Sequence, residues 1–268
     1  MTTLFLWLQR ILPQHLLSRI VGRIANIETP WLAHSLIRGF VRLYPVEMSE
    51  AARTEATQYR SFNDFFTREL LPGARTIADG IVSPADGTVS ACGTITGGQL
   101  IQAKGIDYSV RKLLAHHETS RYEGGSFITI YLAPHNYHCV HMPVSADIPT
   151  ARYVPGDLFS VNNTTAQNIP DLFARNERLV CDLKLPGQDG ALVMVGAMIV
   201  AGIRSDWRDE TYPAGIYVDE TPDTRLEKGA RLGHFEMGST VILVFENELA
   251  WQVEPGQVVR MGQQLAHD

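Results

Sequence analysis

The chain has 268 residues, 45% of them apolar, and carries a formal net charge of −6. That length suits one large domain or a domain with an appendage, and the apolar share excludes a disordered chain. Three cysteines, Cys92, Cys139 and Cys181, cannot all pair and lack zinc-type spacing, so a reduced compartment is the simpler reading and a disulfide scaffold is excluded.

The charge is unevenly spread. Residues 1–46 hold Arg10, Arg19, Arg23, Arg38 and Arg42 against Glu28, a net of +4 that leaves −10 on the remainder. Within this basic segment Leu4, Leu8, Ile11, Leu12, Leu16, Ile20 and Ile24 recur at helical spacing, with Gln9, Arg10, Gln14, Ser18, Arg19 and Arg23 between them. Pro13 interrupts the pattern, so it predicts two short helices and not one. No uncharged apolar run reaches the roughly 18–20 residues that cross a bilayer, and no positive charge precedes the first run as in a signal peptide. A basic helix with an apolar face, bearing Phe5 and Trp7 near one end, fits an interfacial membrane anchor. It also fits a cap packed on its own core or on a second subunit. Nucleic acid is excluded as a partner by the acidic body and the lack of basic clusters.

Ala51–Tyr59 reads as polar helix or linker. Ser61 then reads as the cap of a helix that groups Phe62, Phe65 and Phe66. From Ile81 onward the texture is β, with runs at Thr88–Ala91, Leu100–Ala103, Phe127–Leu132, Leu192–Val195, Met198–Ile203 and Thr240–Phe245 between Gly, Pro and Asp turns. The fold class expected is α+β: a mostly β catalytic body, a sandwich or partly closed barrel, with amphipathic N-terminal helices over residues 1–50 and the body over 51–268.

Three places can hold chemistry. Ser83-Pro84-Ala85-Asp86-Gly87 is a turn before a strand, or a placed carboxylate. The segment from Tyr131 to Pro143 contains His135, His138 and His141, three of the nine histidines. A metal site there lacks the expected cysteine or carboxylate complement, so no metal is expected. If Tyr137–Met142 is extended, His138 and His141 face opposite ways and do separate jobs. Last, Gly238-Ser239 opens the apolar run Val241–Phe245. It is a loop-to-strand junction, or a place where Ser239 attacks the Gly238 carbonyl, an approach that Gly leaves unobstructed.

Taken together these segments resemble the phosphatidylserine decarboxylase proenzymes of bacterial type. The resemblance runs from Phe62-Asn63-Asp64-Phe65-Phe66-Thr67-Arg68-Glu69-Leu70 through Ser83–Gly87, Tyr137-His138 with His141-Met142-Pro143, and Pro155–Asn162. It continues through Phe173–Arg178 and Val195-Gly196-Ala197-Met198 to Gly238-Ser239-Thr240. Two positions depart from the family pattern. Met237 stands where Leu is usual, a near-isosteric change, and Asn136 stands where Asp is more frequent, which puts any role of a charge there in doubt.

The resemblance implies that Asp86, His141 and Ser239 form a self-processing triad, in which a base raises the weak nucleophilicity of a serine hydroxyl. Cleavage between Gly238 and Ser239 would give a β chain of residues 1–238 and an α chain of residues 239–268. These associate as a heterodimer, with further dimerisation an option. Ser239 would become a covalent pyruvoyl group, the only cofactor, which forms a Schiff base with phosphatidylserine and acts as electron sink for loss of CO2. His138 would be the acid that returns a proton, titrating near neutral pH. Implied too are phosphatidylethanolamine as product, a place in phospholipid biosynthesis, an anionic membrane surface as partner, and a peripheral location on the cytoplasmic face of the cell membrane. Two rivals are a non-enzymatic β module that keeps the motifs and a pyruvoyl enzyme acting on a soluble amino acid.

Overall fold

The computed structural model describes residue 9 and residues 12–267, apart from 104, 199–201 and 237–238 and the side chains of Asn163 and Ser239. Its centre is a ten-stranded antiparallel sheet. In chain order the strands needed here are β1 (Gly87–Thr94), β2 (Ser126–Leu132), β3 (Cys139–His141), β4 (Ala151–Val154), β5 (Arg178–Leu185), β6 (Gln188–Val195), β7 (Ile203–Ser205), β8 (Val218–Glu220), β9 (Arg231–Phe235), β10 (Ser239–Phe245) and β11 (Val258–Val259). The sheet runs β8-β4-β5-β6-β10-β2-β1-β11, with two short strands, Ala146–Ile148 and Thr224–Leu226, added beside β5. Its end strands do not pair with each other, so among the described residues it does not close into a barrel. A smaller sheet, β7-β9-β3, adjoins it.

The apolar run in β10 is continuous because the strand is covered on both faces. Alternation sends Val241 and Leu243 into one layer with Leu192, Met194 and Ile130, and Ile242 and Val244 into the other with Val193, Val195 and Phe127. Gly87 is required by close approach: a Cβ there would sit 2.4 Å from the Tyr131 carbonyl oxygen.

Of the run Met198–Ile203, residues 199–201 lie outside the described residues, and the rest does not continue the strand before it. β6 stops at Val195, before Gly196, and Met198 lies in a turn, while β7 begins only at Ile203. Gly after an apolar run has no side chain to hold the pleat, and here it marks the exit from the sheet. Ala51–Tyr59 contributes a single 3₁₀ turn, Ala56–Gln58. The cap at Ser61 forms, its hydroxyl accepting from the Asp64 amide at 3.1 Å and opening the helix Phe62–Phe66.

Three helices matter to the site: α1 (Gln14–Ala25), α2 (Pro30–Leu43) and α3 (Phe62–Phe66). α1 begins directly after Pro13, as the break predicts, while most of the preceding segment, including Phe5 and Trp7, lies outside the described residues. The face that α1 buries is the reverse of the naive choice. Gln14, Ser18, Gly22 and Ala25 are buried, whereas Leu16, Ile20 and Ile24 are 47%, 42% and 44% exposed. Hydrogen bonding decides this. The Gln14 Oε1 accepts from the Leu158 amide at 2.7 Å, the Gln9 Oε1 accepts from the Ser160 amide at 3.0 Å, and the His15 ring donates to the Gly156 carbonyl at 3.0 Å. α2 is anchored through Phe40, whose ring meets those of Phe62, Phe65 and Phe66 at 5.2, 6.0 and 6.1 Å.

Candidate active site

The register of the central sheet gathers the sequence candidates at one end. Thr240 lies opposite Tyr131 of β2 and Val195 of β6; Tyr131 lies opposite Thr88 of β1, and Val195 opposite Arg178 of β5. One step further toward the sheet end, Ser239 pairs with Leu132, and the Gly196 amide donates to the Glu177 carbonyl at 2.8 Å. The ends of five adjacent strands therefore form a row through Gly87, Leu132, Ser239, Gly196 and Glu177, at about 4.8 Å per strand. Asp86 directly precedes this row. Residues 237 and 238 and the Ser239 side chain lie outside the described residues. The next side chain, Thr240, is fully buried, and its Oγ1 has no hydrogen-bond partner among the described residues.

The segment ahead of the junction is fixed by β9. Phe235, the last residue of that strand, donates its amide to the His138 carbonyl at 3.1 Å, and β9 pairs with β3, which carries His141. The two histidines lie on opposite sides of this extended segment. His138 is fully buried and stacks on Phe66, with ring centroids 4.0 Å apart. His141 instead meets the Tyr137 hydroxyl and the Gly229 carbonyl.

Their partners assign the tautomers. A carbonyl can only accept, so His141 Nδ1–H donates to Gly229 at 2.8 Å and its Nε2 lone pair accepts from the Tyr137 hydroxyl at 2.9 Å. Burial holds the His141 pKa below its ordinary value, against the smaller upward pull of the Gly229 hydrogen bond. By the same rule His138 Nε2–H donates to the Pro134 carbonyl at 3.2 Å, leaving Nδ1 buried and without a partner among the described residues. Burial pushes the His138 pKa down to about 3, so the ring is neutral in the uncut chain and does not titrate near neutral pH as expected from sequence.

Asp86 departs from expectation as well. It lies beside His141, whose amide donates to the Pro84 carbonyl at 2.8 Å, yet its carboxylate makes no hydrogen bond to the ring. Arg75 holds it in a fork, Nη2 to Oδ2 at 2.6 Å and Nε to Oδ1 at 3.3 Å, and the Met261 amide donates to Oδ1 at 2.8 Å. A two-pronged, charge-assisted guanidinium pair outcompetes a neutral imidazole for the carboxylate. The Gly229 carbonyl, and not Asp86, sets the His141 tautomer here.

Four further residues shape the site and were not singled out in the sequence. Arg68 donates from Nη2 to the His135 and Asn136 carbonyls at 3.2 and 3.3 Å, clamping the loop that carries His138, while its Nε and Nη1 are buried without partners among the described residues. Arg75 holds Asp86, Tyr137 caps His141, and the buried Glu177 lies in the row with Ser239. All but Arg75 stand inside motifs quoted above, where only their neighbours drew notice. The departure at Asn136 has a simple account: its Oδ1 accepts from the Ala133 amide at 2.7 Å, which a neutral amide oxygen does as a carboxylate would. Among the described residues no group of three or more His, Cys, Asp or Glu side chains is placed to hold a metal ion.

Comparison with known proteins gives this geometry a lineage. A family model described as Phosphatidylserine decarboxylase matches residues 62–267. The chain belongs to the phosphatidylserine decarboxylase family. A second model, described as PSD, matches residues 4–45, the basic amphipathic stretch. Among curated relatives, the phosphatidylserine decarboxylase proenzyme of Shewanella halifaxensis is 48% identical over 276 residues, covering 97% of this chain and 96% of the relative. The proenzymes of Acinetobacter baumannii and Psychrobacter arcticus are 45% and 47% identical over 271 residues, each covering 98% of this chain and 96% and 98% of the relative. Likeness along nearly the whole length makes this chain a decarboxylase of that family and sets aside the non-enzymatic β module.

Proposed function

We propose that this chain cuts itself between Gly238 and Ser239 and, as a pyruvoyl enzyme, converts phosphatidylserine to phosphatidylethanolamine and CO2 at a membrane surface. The observation that carries this reading is the convergence of Asp86, His138, His141 and the Ser239 backbone at one end of the central sheet. Cleavage starts when His141 Nε2, kept unprotonated because Nδ1–H is tied to Gly229, exchanges its Tyr137 hydroxyl partner for the Ser239 hydroxyl and takes its proton. The oxygen adds to the Gly238 carbonyl carbon and the C–N bond breaks, turning amide to ester. Loss of the Ser239 Cα proton expels the Gly238 carboxylate, and hydrolysis of the unsaturated residue releases ammonia and leaves the ketone. Asp86 contributes negative charge beside the ring, its place fixed by Arg75.

The residues around the junction fit a small ketone: Gly196 offers no side chain in the neighbouring strand, and the orphaned Thr240 hydroxyl can donate to a new oxygen. The pyruvoyl ketone supplies a carbonyl for the substrate amine and an electron sink for the bond that breaks. His138 supplies the proton relay at the substrate carbon. Being neutral, with Nε2–H on Pro134 and Nδ1 open, it takes at Nδ1 the proton that the substrate ammonium sheds as its amine reacts, and returns it to the carbon that loses CO2.

After cleavage the chain of residues 239–268 stays bound to that of residues 1–238, because β10 is hydrogen-bonded between β2 and β6 and β11 pairs with β1. The outward apolar face of α1, with Trp31 and Leu43 at 70% and 74% exposure on α2, supports a peripheral seat on an anionic cytoplasmic leaflet. No helix among the described residues is long and apolar enough to cross a membrane.

The test is the intact mass of the purified chain with and without Ser239→Ala. The parent should separate into two chains with a blocked amino terminus on the smaller, and the variant should stay whole and inactive. A parent that remains uncut while decarboxylating phosphatidylserine would overturn the mechanism.

A further inference from the structure

A cavity of about 370 Å3 opens at the same sheet end, between α1 and the ends of β4 and β5. Its size is at the lower end of ordinary small-ligand sites. Arg19 and His15 of α1 stand on its rim, and Tyr153, Leu158, Glu177 and Tyr212 line it further in. Glu177 is 7% exposed and its Oε2 accepts from the Tyr153 hydroxyl at 2.9 Å, while Oε1 has no hydrogen-bond partner among the described residues. Arg19 donates from Nε to the His15 carbonyl at 3.3 Å, and among the described residues its terminal nitrogens make no hydrogen bond.

The side chain of Glu177 leans toward the cleavage strand. A Cβ added at Gly196 would come within 3.1 Å of the Glu177 Cγ, so the glycine is the gap over which this side chain lies. Gly196 is the next residue after Val195, which pairs with Thr240, and it therefore stands in the row beside Ser239. The cavity thus carries a guanidinium at its mouth and a buried carboxylate at its inner end, next to the position where the reacting carbonyl would form.

We infer that this cavity is the head-group site, that it takes a phosphodiester bearing a primary amine, and that Glu177 selects the amine. The assignment rests on the proposed function for its placement. A guanidinium fork matches a phosphodiester, and a buried carboxylate with an open oxygen matches an ammonium. The reverse orientation would set phosphate against Glu177, two anions in a poorly solvated space. Head groups without an amine, such as glycerol, would leave the Glu177 oxygen unpaired and bind less well. Burial raises the Glu177 pKa, which an arriving ammonium would offset.

The experiment is calorimetric titration of the full-length Ser239→Ala chain, which stays uncut, with glycerophosphoserine and with glycerophosphoglycerol. The amine-bearing compound should bind about tenfold more tightly, the size expected of one hydrogen bond to a charged group. Adding Glu177→Gln, which keeps an acceptor for Tyr153, should erase the preference. Adding Gly196→Ala, which pushes the Glu177 side chain aside, should do the same. Arg19→Ala, at an exposed position, should weaken both compounds alike. A preference that survives Glu177→Gln, equal binding by the parent, or no binding of either compound overturns the assignment. Decarboxylation by the wild-type chain is measured in parallel: if it fails, the proposed function falls, and if it holds while the preference does not, only the head-group site falls.

Discussion

In the central sheet the apolar side chains of β10 divide between two covered layers, and His141 and Asp86 at its end are tied to named partners. In α1 the arrangement is turned round: Gln14, Ser18 and Gly22 face the body, and Leu16, Ile20 and Ile24 face outward. Both regions show clean periodicity in sequence. Periodicity identifies a face but does not say which face the fold covers. In β10 the layers on either face are predominantly apolar, so burial follows hydrophobicity. Against α1 the body offers the open amides of Leu158 and Ser160, which glutamine oxygens satisfy and leucines cannot. An outward stripe that costs roughly 25 cal/mol per Å2 left in water is tolerated where another apolar phase covers it.

If the sheet end is where contacts are committed and α1 is where they are left open, substitutions should be all-or-none in the first and graded in the second. The largest effect tests the two histidines. His141→Ala removes the lone pair beside the junction and should leave a single uncut chain. His138→Ala should still yield two chains but lose most decarboxylation, by a factor of about 10² or more, as for loss of a proton-transfer residue. Denaturing electrophoresis and CO2 release on the same samples decide it. Equal failure of both variants to cleave would mean that the sheet end works as one unit and not as two sides.

A smaller effect concerns acid. His138 has a folded pKa of about 3 against about 6.5 in the unfolded chain, so the unfolded state binds more protons between those values. The stability that its neutral burial contributes is complete above about pH 6.5 and is lost as pH falls toward 3, at about 1.4 kcal/mol per pH unit. The lowered pKa of His141 acts with the same sign. Denaturant unfolding of the uncut Ser239→Ala chain at pH 7 and pH 5 should show a loss about 2 kcal/mol larger than in the same chain carrying His138→Gln, which keeps a donor for Pro134 but does not titrate. Equal losses would show that Nδ1 is not shut away from water.

How much of this the sequence disclosed follows the same division. The strands around Phe127–Leu132, Leu192–Val195 and Thr240–Phe245 were legible because their buried positions are mostly apolar and β-branched. The helix cap at Ser61 and the break at Pro13 were legible because they are local. The inward face of α1 was not, since its partners lie some 140 positions away in the chain. Nor was the hold of Arg75 on Asp86, because a motif names a carboxylate without naming its competitor. The joining of the two regions was equally hidden: Phe40 of α2 packs on Phe66, which stacks on His138, so the outer helices bear on the innermost histidine.

The smallest effect falls on the open face and isolates it. Ile20 is 42% exposed on α1, so Ile20→Glu removes little packing and should change unfolding stability by no more than about 0.5 kcal/mol. Against vesicles of anionic lipid the same change takes an apolar side chain out of the interface and adds a negative charge. Burying such a side chain is worth roughly 1.5–3 kcal/mol when complete, and this one is partly covered already, so about a tenfold loss of binding is expected. Arginines near the surface add about 1 kcal/mol each, a share that salt screens. Binding of the parent should therefore fall with ionic strength to a plateau, and Ile20→Glu should lower the plateau and, through its added charge, reduce the salt-dependent part by about the share of one arginine. Co-sedimentation across a salt series reads both quantities from one curve. A plateau unchanged by Ile20→Glu would mean that the outward stripe meets protein instead of lipid, and the contrast between the two regions would then be one of partner subunit, not of solvent.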